Sequence, residues 1–542
     1  MRQPIRRYFP ALIALLLVPA LSACSRPAAP GESGAASSAP QTSPLSARPA
    51  YTTAVPENAE IFRPEDYGAK GDGSTDDGPA VSRAVEAAMA SAKPEKVLLF
   101  RKDATYRLAS APEENSLKRV FSLIGGENLR ILGDHTRLLM KAPYRVAYFK
   151  QCRNVEFSGF IIDYSPKPFV LGTVAAIDPD KRYIDFTTRD DLNFTGKVEP
   201  PQPYYAFRNR TDERLHYFIS SMEQLGTGSY RLYMTDASRV AAAQVGEEFI
   251  LPVYQNSHSI GSLFSISETE NFEMSNVYIE AVPEFAFDIR SNRGYTRFTN
   301  VRLKPPEGSG IHLVSWRDGF HVKDNVSKPT WDSCYIGPLG DDAFNLSTVI
   351  CNVTSYDADT GRVVMTPTEA EPYRNGLNPG DELAIYNMAT GQDYGTATIA
   401  EVYPSDTSVQ IRLNRAVPGL APGCQIAFYS LNKDYVVKNS YIEGTVRVRS
   451  SGTFENCRFN VFWVRVENET YVEGPIPKDI LFKNCTFTTP YAADAEIFHV
   501  GTQVKKDSSA RPQYTCKNIV LEGCRFLKGK CQADPGNDIQ IR

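Results

Sequence analysis

The sequence predicts an all-β chain: a parallel β-helix with an N-terminal capping helix and two small β-barrels inserted between its rungs. Three observations predict it. A six-residue motif recurs from Phe157 to Phe526, an amphipathic helical stretch precedes its first copy, and two of its intervals are far too long for one coil.

The motif reads apolar, any, Asn/Ser/Gly, Cys or apolar, any, apolar. Copies begin at Phe157, Met274, Phe298, Trp331, Val437, Phe454, Phe482 and Leu521. The ordinary intervals of 17 to 39 residues fit a coil made of two or three short strands and their turns. Cys334, Cys457, Cys485 and Cys524 share one position, so stacked rungs would align them as a buried ladder of small hydrophobes. Ten cysteines less Cys24 leave nine, an odd count at irregular spacing. That is neither a disulfide framework nor a zinc site.

Ahead of the repeat, Ala80, Val81, Ala84, Val85, Ala88 and Met89 form a helical stripe, with Asp76 or Asp77 as its cap and Pro79 in the first turn. Phe160 to Val277 spans 117 residues and Cys334 to Ser440 spans 106. Each excess holds strand-like segments cut by Asp, Gly and Pro, the pattern of a small inserted barrel. The expected organisation is a signal peptide at 1–23, a tether at 24–58, β-helix at 59–164, a barrel at 165–258, central rungs at 259–348, a second barrel at 349–433 and C-terminal rungs at 434–542.

The central rungs carry the chemistry. Asp318-Gly319-Phe320-His321-Val322 and Asp342-Ala343-Phe344-Asn345-Leu346 lie 24 residues apart and align position for position. Alternate side chains of a strand face opposite ways, so inward Phe and Val/Leu leave His321 and Asn345 outward. The register extends to Phe287-Asp288-Ile289-Arg290 and Val446-Arg447-Val448-Arg449. One outward column is then Asp288, His321, Asn345, Arg447; beside it run Arg290, Lys323, Ser347, Arg449. Asp318, Asp341 and Asp342 gather at the mouth of these strands, with Glu284, Trp316 and Arg317 nearby, Trp316 as a sugar platform. The plain alternative is the solvated face that every β-helix has. Glycoside hydrolysis needs one protonated and one ionised carboxyl group, and close carboxylates push their pKa values apart.

A net charge of −4 argues against a nucleic-acid partner. No apolar run after residue 24 is long enough to span a bilayer. Arg2, Arg6 and Arg7 precede an apolar run at Ala11–Pro19, an export signal. Leu21-Ser22-Ala23-Cys24 resembles a bacterial lipobox, which implies lipidation of Cys24 and an outer-membrane lipoprotein anchored by lipid alone. The following stretch to about Val55 has the composition of a flexible tether.

Asp66-Tyr67-Gly68-Ala69-Lys70-Gly71-Asp72-Gly73 through Asp77 resembles the leading segment of pectin-lyase-like right-handed β-helices. Its carboxylates are expected to cap and turn, not to catalyse. Arg317-Asp318-Gly319-Phe320-His321-Val322 followed by Leu339-Gly340-Asp341-Asp342-Ala343-Phe344-Asn345, on a β-helix with barrels at these two points, resembles glycoside hydrolase family 110. The likeness covers roughly residues 60–530 and is sharpest at 317–346. It implies an inverting exo-α-1,3-galactosidase without cofactor or metal, acting on glycans with terminal α-galactose and associating as a homodimer. It also implies Asp318, Asp341 and Asp342 as catalytic carboxylates, Asp341 the general acid. The His and Arg-any-Lys motifs of the more distant family 28 polygalacturonases have no counterpart that can be placed. Inversion expects carboxyl groups about 6.5–9.5 Å apart, within reach of Asp318 and Asp341 if their side chains splay. A polysaccharide lyase and a non-catalytic glycan-binding β-helix are the rival readings.

Overall fold

The computed structural model describes residues 55–110, 118–142, 144–189, 204–210, 216–253, 261–369, 376–405, 408–468, 473–505 and 507–542. The export signal, Cys24 and the tether up to residue 54 lie outside the described residues. None of the described helices is long and apolar enough to cross a membrane.

Thirty strands form one coiled sheet whose rungs pair in parallel, a parallel β-helix. The strands used below are β1 (Phe287–Arg290), β2 (Phe320–Lys323), β3 (Asp342–Val349), β4 (Tyr441–Val448), β5 (Arg458–Glu467), β6 (Glu473–Gly474) and β7 (Glu496–Gly501). The interior is a stack of like side chains on like positions. Phe264, Phe287, Phe320 and Phe344 lie ring on ring, with centroids 5.2, 4.4 and 5.3 Å apart. Offset or stacked rings at such distances add stability beyond the area they bury, about 0.5–1.5 kcal/mol per pair. A one-residue slip would turn every Phe outward, so this stack pins the register of β1, β2 and β3.

The Asn/Ser/Gly position of the motif has a backbone reason. Asn276, Asn300, Ser333, Asn439, Asn456, Asn484 and Gly523 all take positive φ, between 51° and 62°. Asn and Gly tolerate this left-handed turn best. Asn side chains also bond from rung to rung, as Asn300 Nδ2 does to Asn276 Oδ1 at 2.7 Å. A second ladder is buried behind the central strands. Asn292 donates to Asn325 and Asn325 to Asn432, each at 3.0 Å, while each amide also donates to a backbone carbonyl. It closes the turn that follows β1 and β2, and so holds the ends of the strands that carry the outward columns. Of the shared-position cysteines, Cys334, Cys457 and Cys485 are buried and Cys524 is half-buried, all as free thiols.

Helix α1 (Gly78–Ala90) buries Ala80, Val81, Ala84, Val85 and Ala88 in the core shared with the coil. Asp77 at its start accepts from the backbone N–H groups of Lys70 and Gly71, at 2.6 and 3.0 Å. Asp76 accepts from Gly78 N, Ala109 N and Ser110 Oγ. These carboxylates brace turns, as their sequence context predicts, but Asp77, which stands at the N-cap, makes no side-chain cap bond to the helix and holds the preceding loop instead.

Both long intervals fold as closed six-stranded barrels, with strands from Phe169 to Pro252 and from Cys351 to Phe428. Strands Tyr204–Arg208, His216–Gly226 and Cys351–Asp357 complete the segments legible in sequence. Each barrel has its own apolar core.

Candidate active site

The parallel register sets Asp288 beside His321, His321 beside Asn345 and Asn345 beside Arg447. It sets Arg290 beside Lys323 and Lys323 beside Ser347, and Arg449 N donates back to Leu346 O. At the strand mouths, Gly319 N donates to Asp342 O at 2.8 Å. A side chain at Gly319 would meet Ala343 O at 2.9 Å, so only glycine lets the two rungs close up here. Gly340 is pinned likewise, with the Phe207 ring of the first barrel and Trp316 O both 2.8 Å from where a Cβ would stand.

A β-bulge aims the carboxylates. On β3, Asp342 is opposite Thr445 and Phe344 is opposite Val446, so Ala343 is the extra residue. In unbroken alternation Asp342 would share the inward face of Phe344; the bulge reverses it. One oxygen each from Asp318, Asp341 and Asp342 therefore lie within 4.8 Å of one another. The side chains converge, where the inversion argument expects them to splay.

Each aspartate has a different neighbour. Asp342 accepts from Thr445 Oγ1 at 2.6 Å and pairs with Arg447 Nε at 2.8 Å. Asp318 faces His321 Nδ1 at 3.1 Å. Asp341 has Arg317 Nε at 3.8 Å and is the most open of the three, with 36% of its side chain exposed against 5% for Asp318. Burial, and then the neighbouring Asp342 charge, lift Asp318 to about 7. Burial lifts Asp342 to about 6 despite Arg447. Burial, with Lys323 and Arg290 close by, holds His321 down at about 4, so it is neutral at pH 7. A pair of carboxyl groups titrating near neutrality suits either giving or taking a proton.

Two carboxylates that sequence reading missed complete the electrostatics. Glu473 on β6 reaches Lys323 Nζ at 2.9 Å and Arg449 Nη1 at 2.8 Å, and accepts from Asn345 Nδ2 at 3.1 Å. Its Oε1 is 3.8 Å from His321 Nε2. Burial would raise it, but Lys323 and then Arg449 hold it well below the usual carboxylate range. Glu369, in the loop after the second strand of the second barrel, pairs with Lys323 and with Arg290 Nη1, the latter at 2.6 Å. Removing one member of such a buried set costs about 3–5 kcal/mol, because a charge is left behind without its partner.

These contacts revise the predicted groove. Of the column Arg290, Lys323, Ser347, Arg449, the three cations are tied into an ion network with Glu369 and Glu473, whose Lys323 and Arg449 are sealed off. Arg449 is 2% exposed and Lys323 1%. The reason is β6, which pairs antiparallel with the end of β3 and lays Glu473 over them. Asn345 is buried with it. Trp316 is not an open platform: its Nε1 donates to Pro283 O at 2.8 Å and its ring lies 5.5 Å from Tyr205. Arg317 packs on the Phe285 ring at 4.5 Å. Glu284 is buried and accepts from Gly261 N at 2.7 Å. Asp288 is taken up by Arg290 Nε at 2.7 Å. In the aspartate trio Asp341 is open while Asp318 and Asp342 are buried, and Arg317, His321 and Arg447 surround the three. Tyr205 and Phe207 of the first barrel wall one side, while the second barrel contributes Glu369. Three converging oxygens could also hold a hard divalent cation.

No family model matches the chain, and no curated protein matches it in sequence. Solved structures similar to it include the A-module of a mannuronan C-5 epimerase from Azotobacter vinelandii, at 12% identity and a TM-score of 0.37, covering 89% of this chain and 91% of that one. An endo-xylogalacturonan hydrolase from Aspergillus tubingensis has 11% identity and a TM-score of 0.36, covering 89% and 93%. A surface adhesin of Streptococcus pneumoniae has 11% identity and a TM-score of 0.32, covering 89% and 77%. Function is therefore argued from the site alone.

Proposed function

We propose that the protein is an exo-acting glycoside hydrolase that releases terminal α-1,3-linked galactose from glycans. The observation that carries hydrolysis is the aspartate trio: three carboxylates within 4.8 Å, two of them titrating near neutral pH. The choice of sugar and linkage rests on the family 110 likeness of residues 317–346. In this reading Asp341, the most exposed, protonates the departing glycosidic oxygen. Asp318 and Asp342 hold and deprotonate the attacking water. Arg447 and Thr445 fix Asp342, and neutral His321 fixes Asp318. The enzyme is exported and held at the outer membrane by a lipid on Cys24, acts without cofactor, and works as a dimer.

Stereochemistry is the open edge of this reading. The family likeness implies inversion, while converged oxygens fit the shorter spacing of about 5–5.5 Å that retaining enzymes use. NMR of the first-formed anomer decides: β-galactose supports inversion, α-galactose overturns it. The main test is galactose release by the purified protein from Galα1-3Gal, the fucosylated blood-group B trisaccharide and an α-1,4-linked galactoside. Cleavage confined to α-1,3 substrates supports the assignment, and no release from all three removes it.

A second reading has its own observation. The trio could hold a divalent cation, as a lyase acting beside a uronic carboxylate requires. Activity lost to EDTA, with an unsaturated product absorbing in the ultraviolet, would favour it over the hydrolase.

A further inference from the structure

The outward column does not stop at Arg447. Arg447 on β4 stands beside Arg465 on β5, and Arg465 beside His499 on β7. One step along the same pair of strands, Thr445, which bonds to Asp342, stands beside Trp463. Trp463 is half-buried. Of the chain's three Trp, Trp331 is fully buried and Trp316 is 7% exposed. The Arg447 and Arg465 guanidinium groups lie 5.3 and 5.6 Å from the Trp463 ring centroid. Arg447 thus touches Asp342 through Nε and the indole through its guanidinium carbon. Beyond it the polar groups are already set: Arg465 Nη1 is 3.5 Å from Glu496 Oε1, and His499 lies between Glu496 at 2.6 Å and Asp534 at 3.4 Å.

In the opposite direction the column ends in a cluster of paired charges. Asp288, Arg290 and Glu369 neutralise one another there, and the buried Arg119 lies 4.0 Å over the Tyr148 ring. A glycan whose end sits among the aspartates and runs along the column past Thr445 and Arg447 meets Trp463 and Arg465 next. Planar guanidinium and imidazole groups beside an indole match what a sugar ring offers: hydroxyl groups at its edge and an apolar C–H face.

We propose that Trp463, Arg465 and His499 form an acceptor-side subsite, which binds the sugars that follow the terminal residue of a neutral oligosaccharide. The proposal rests on the hydrolase reading for the position of the terminal sugar. It makes chain length, not only the terminal linkage, a determinant of affinity.

The experiment compares Trp463→Ala and Arg465→Ala with the wild type on an α-1,3-galactosyl disaccharide and on a tetrasaccharide with the same terminus. KM for the tetrasaccharide should rise roughly 3- to 10-fold more than KM for the disaccharide, the loss of one aromatic contact worth about 0.5–1.5 kcal/mol. Equal losses on both substrates would overturn the subsite. Tryptophan fluorescence titrated with the tetrasaccharide gives a readout free of turnover. A saturable change that Trp463→Phe abolishes supports the subsite even where nothing is cleaved, in which case the hydrolase reading alone fails. A change that persists in Trp463→Phe, or no change at all, overturns the subsite whatever the activity.

Discussion

Of the chain's three Asp-Asp pairs two lie among the described residues, and the contrast between them separates structure from chemistry. Asp76-Asp77 spend their oxygens on backbone: Lys70, Gly71, Gly78 and Ala109 N–H groups, with Ser110 Oγ added. Burial tends to raise Asp76, but Ser110 and Ala109 hold it below its ordinary value; burial lifts Asp77 above it. Asp341-Asp342 face side chains brought in from other rungs, Arg317, Thr445 and Arg447, and Asp342 shares its pocket with Asp318. A carboxylate saturated by amides at a helix start is a fixed brace. One lifted by burial next to another carboxylate, with side-chain hydroxyl and guanidinium partners, is able to exchange a proton. The dipeptide is the same; the donors decide.

The largest effect should come from attacking the second pair. Asp342→Asn and Asp318→Asn should each lower kcat by roughly 10²–10⁴, the usual reach of acid–base catalysis, with the melting temperature preserved or raised. Asp341→Asn should lose as much on a disaccharide, yet keep much of its rate on a nitrophenyl galactoside, whose leaving group needs no proton. If Asp318→Asn is the variant spared by the good leaving group, the acid is Asp318 and not Asp341.

Glu473 comes next, because it anchors the site without belonging to the aspartate trio. Glu473→Ala removes the carboxylate that Lys323 and Arg449 share, and should cost about 3–5 kcal/mol of stability. Thermal unfolding checks it. A variant as stable as the wild type would mean that water enters and replaces the carboxylate. Asp77→Ala in the first pair should be milder, about 1–3 kcal/mol for the lost bonds from Lys70 and Gly71 N–H, with kcat unchanged. A fall in kcat there would break the contrast on which the reading of both pairs depends.

Some of this was legible and some was not, for identifiable reasons. The strand register could be read because Phe and Val/Leu recur at a fixed phase in Phe287–Arg290, Phe320–Lys323 and Phe344–Leu346, and a buried stack tolerates no slip. The Asn of each motif was legible as a repeat, though its left-handed turn emerges only from the backbone. The bulge at Ala343 was not legible: simple alternation turns Asp342 inward beside Phe344. Nor was Glu473. It sits 128 residues from Asn345 on a two-residue strand, with no periodicity to mark it, and it ties half of the expected groove into an ion network. Trp463 and Arg465 did carry a signal, since Trp463-Val464-Arg465-Val466 alternates as Val446-Arg447-Val448-Arg449 does; the register simply was not carried one rung further.

The smallest effect is also the one that separates the three carboxylates by sign. Asp318 is raised in the fold to about 7 from an ordinary value of 3.8. A raised carboxyl group is an acid that the fold prefers neutral, so its contribution to stability is fully present below about pH 4 and is lost as pH climbs through about 7. Asp342, lifted to about 6, acts in the same direction. Glu473 has the opposite sign: held well below its ordinary 4.5, it stabilises above that value and loses its contribution only as pH falls through its folded value. Between pH 5 and pH 8 Glu473 therefore contributes a constant; Asp318, Asp342 and Asp324, which burial also lifts to about 7, give a falling slope, and His321, held at about 4, gives a rising one up to its ordinary 6.5. Asp318→Asn, which cannot ionise, removes one falling contribution, so across this window its melting temperature should fall by a few degrees less, or rise by a few degrees more, than that of the wild type. A slope unchanged by that substitution would place the titration elsewhere and leave Asp318 ionised throughout, a base from the start and never a holder of the proton.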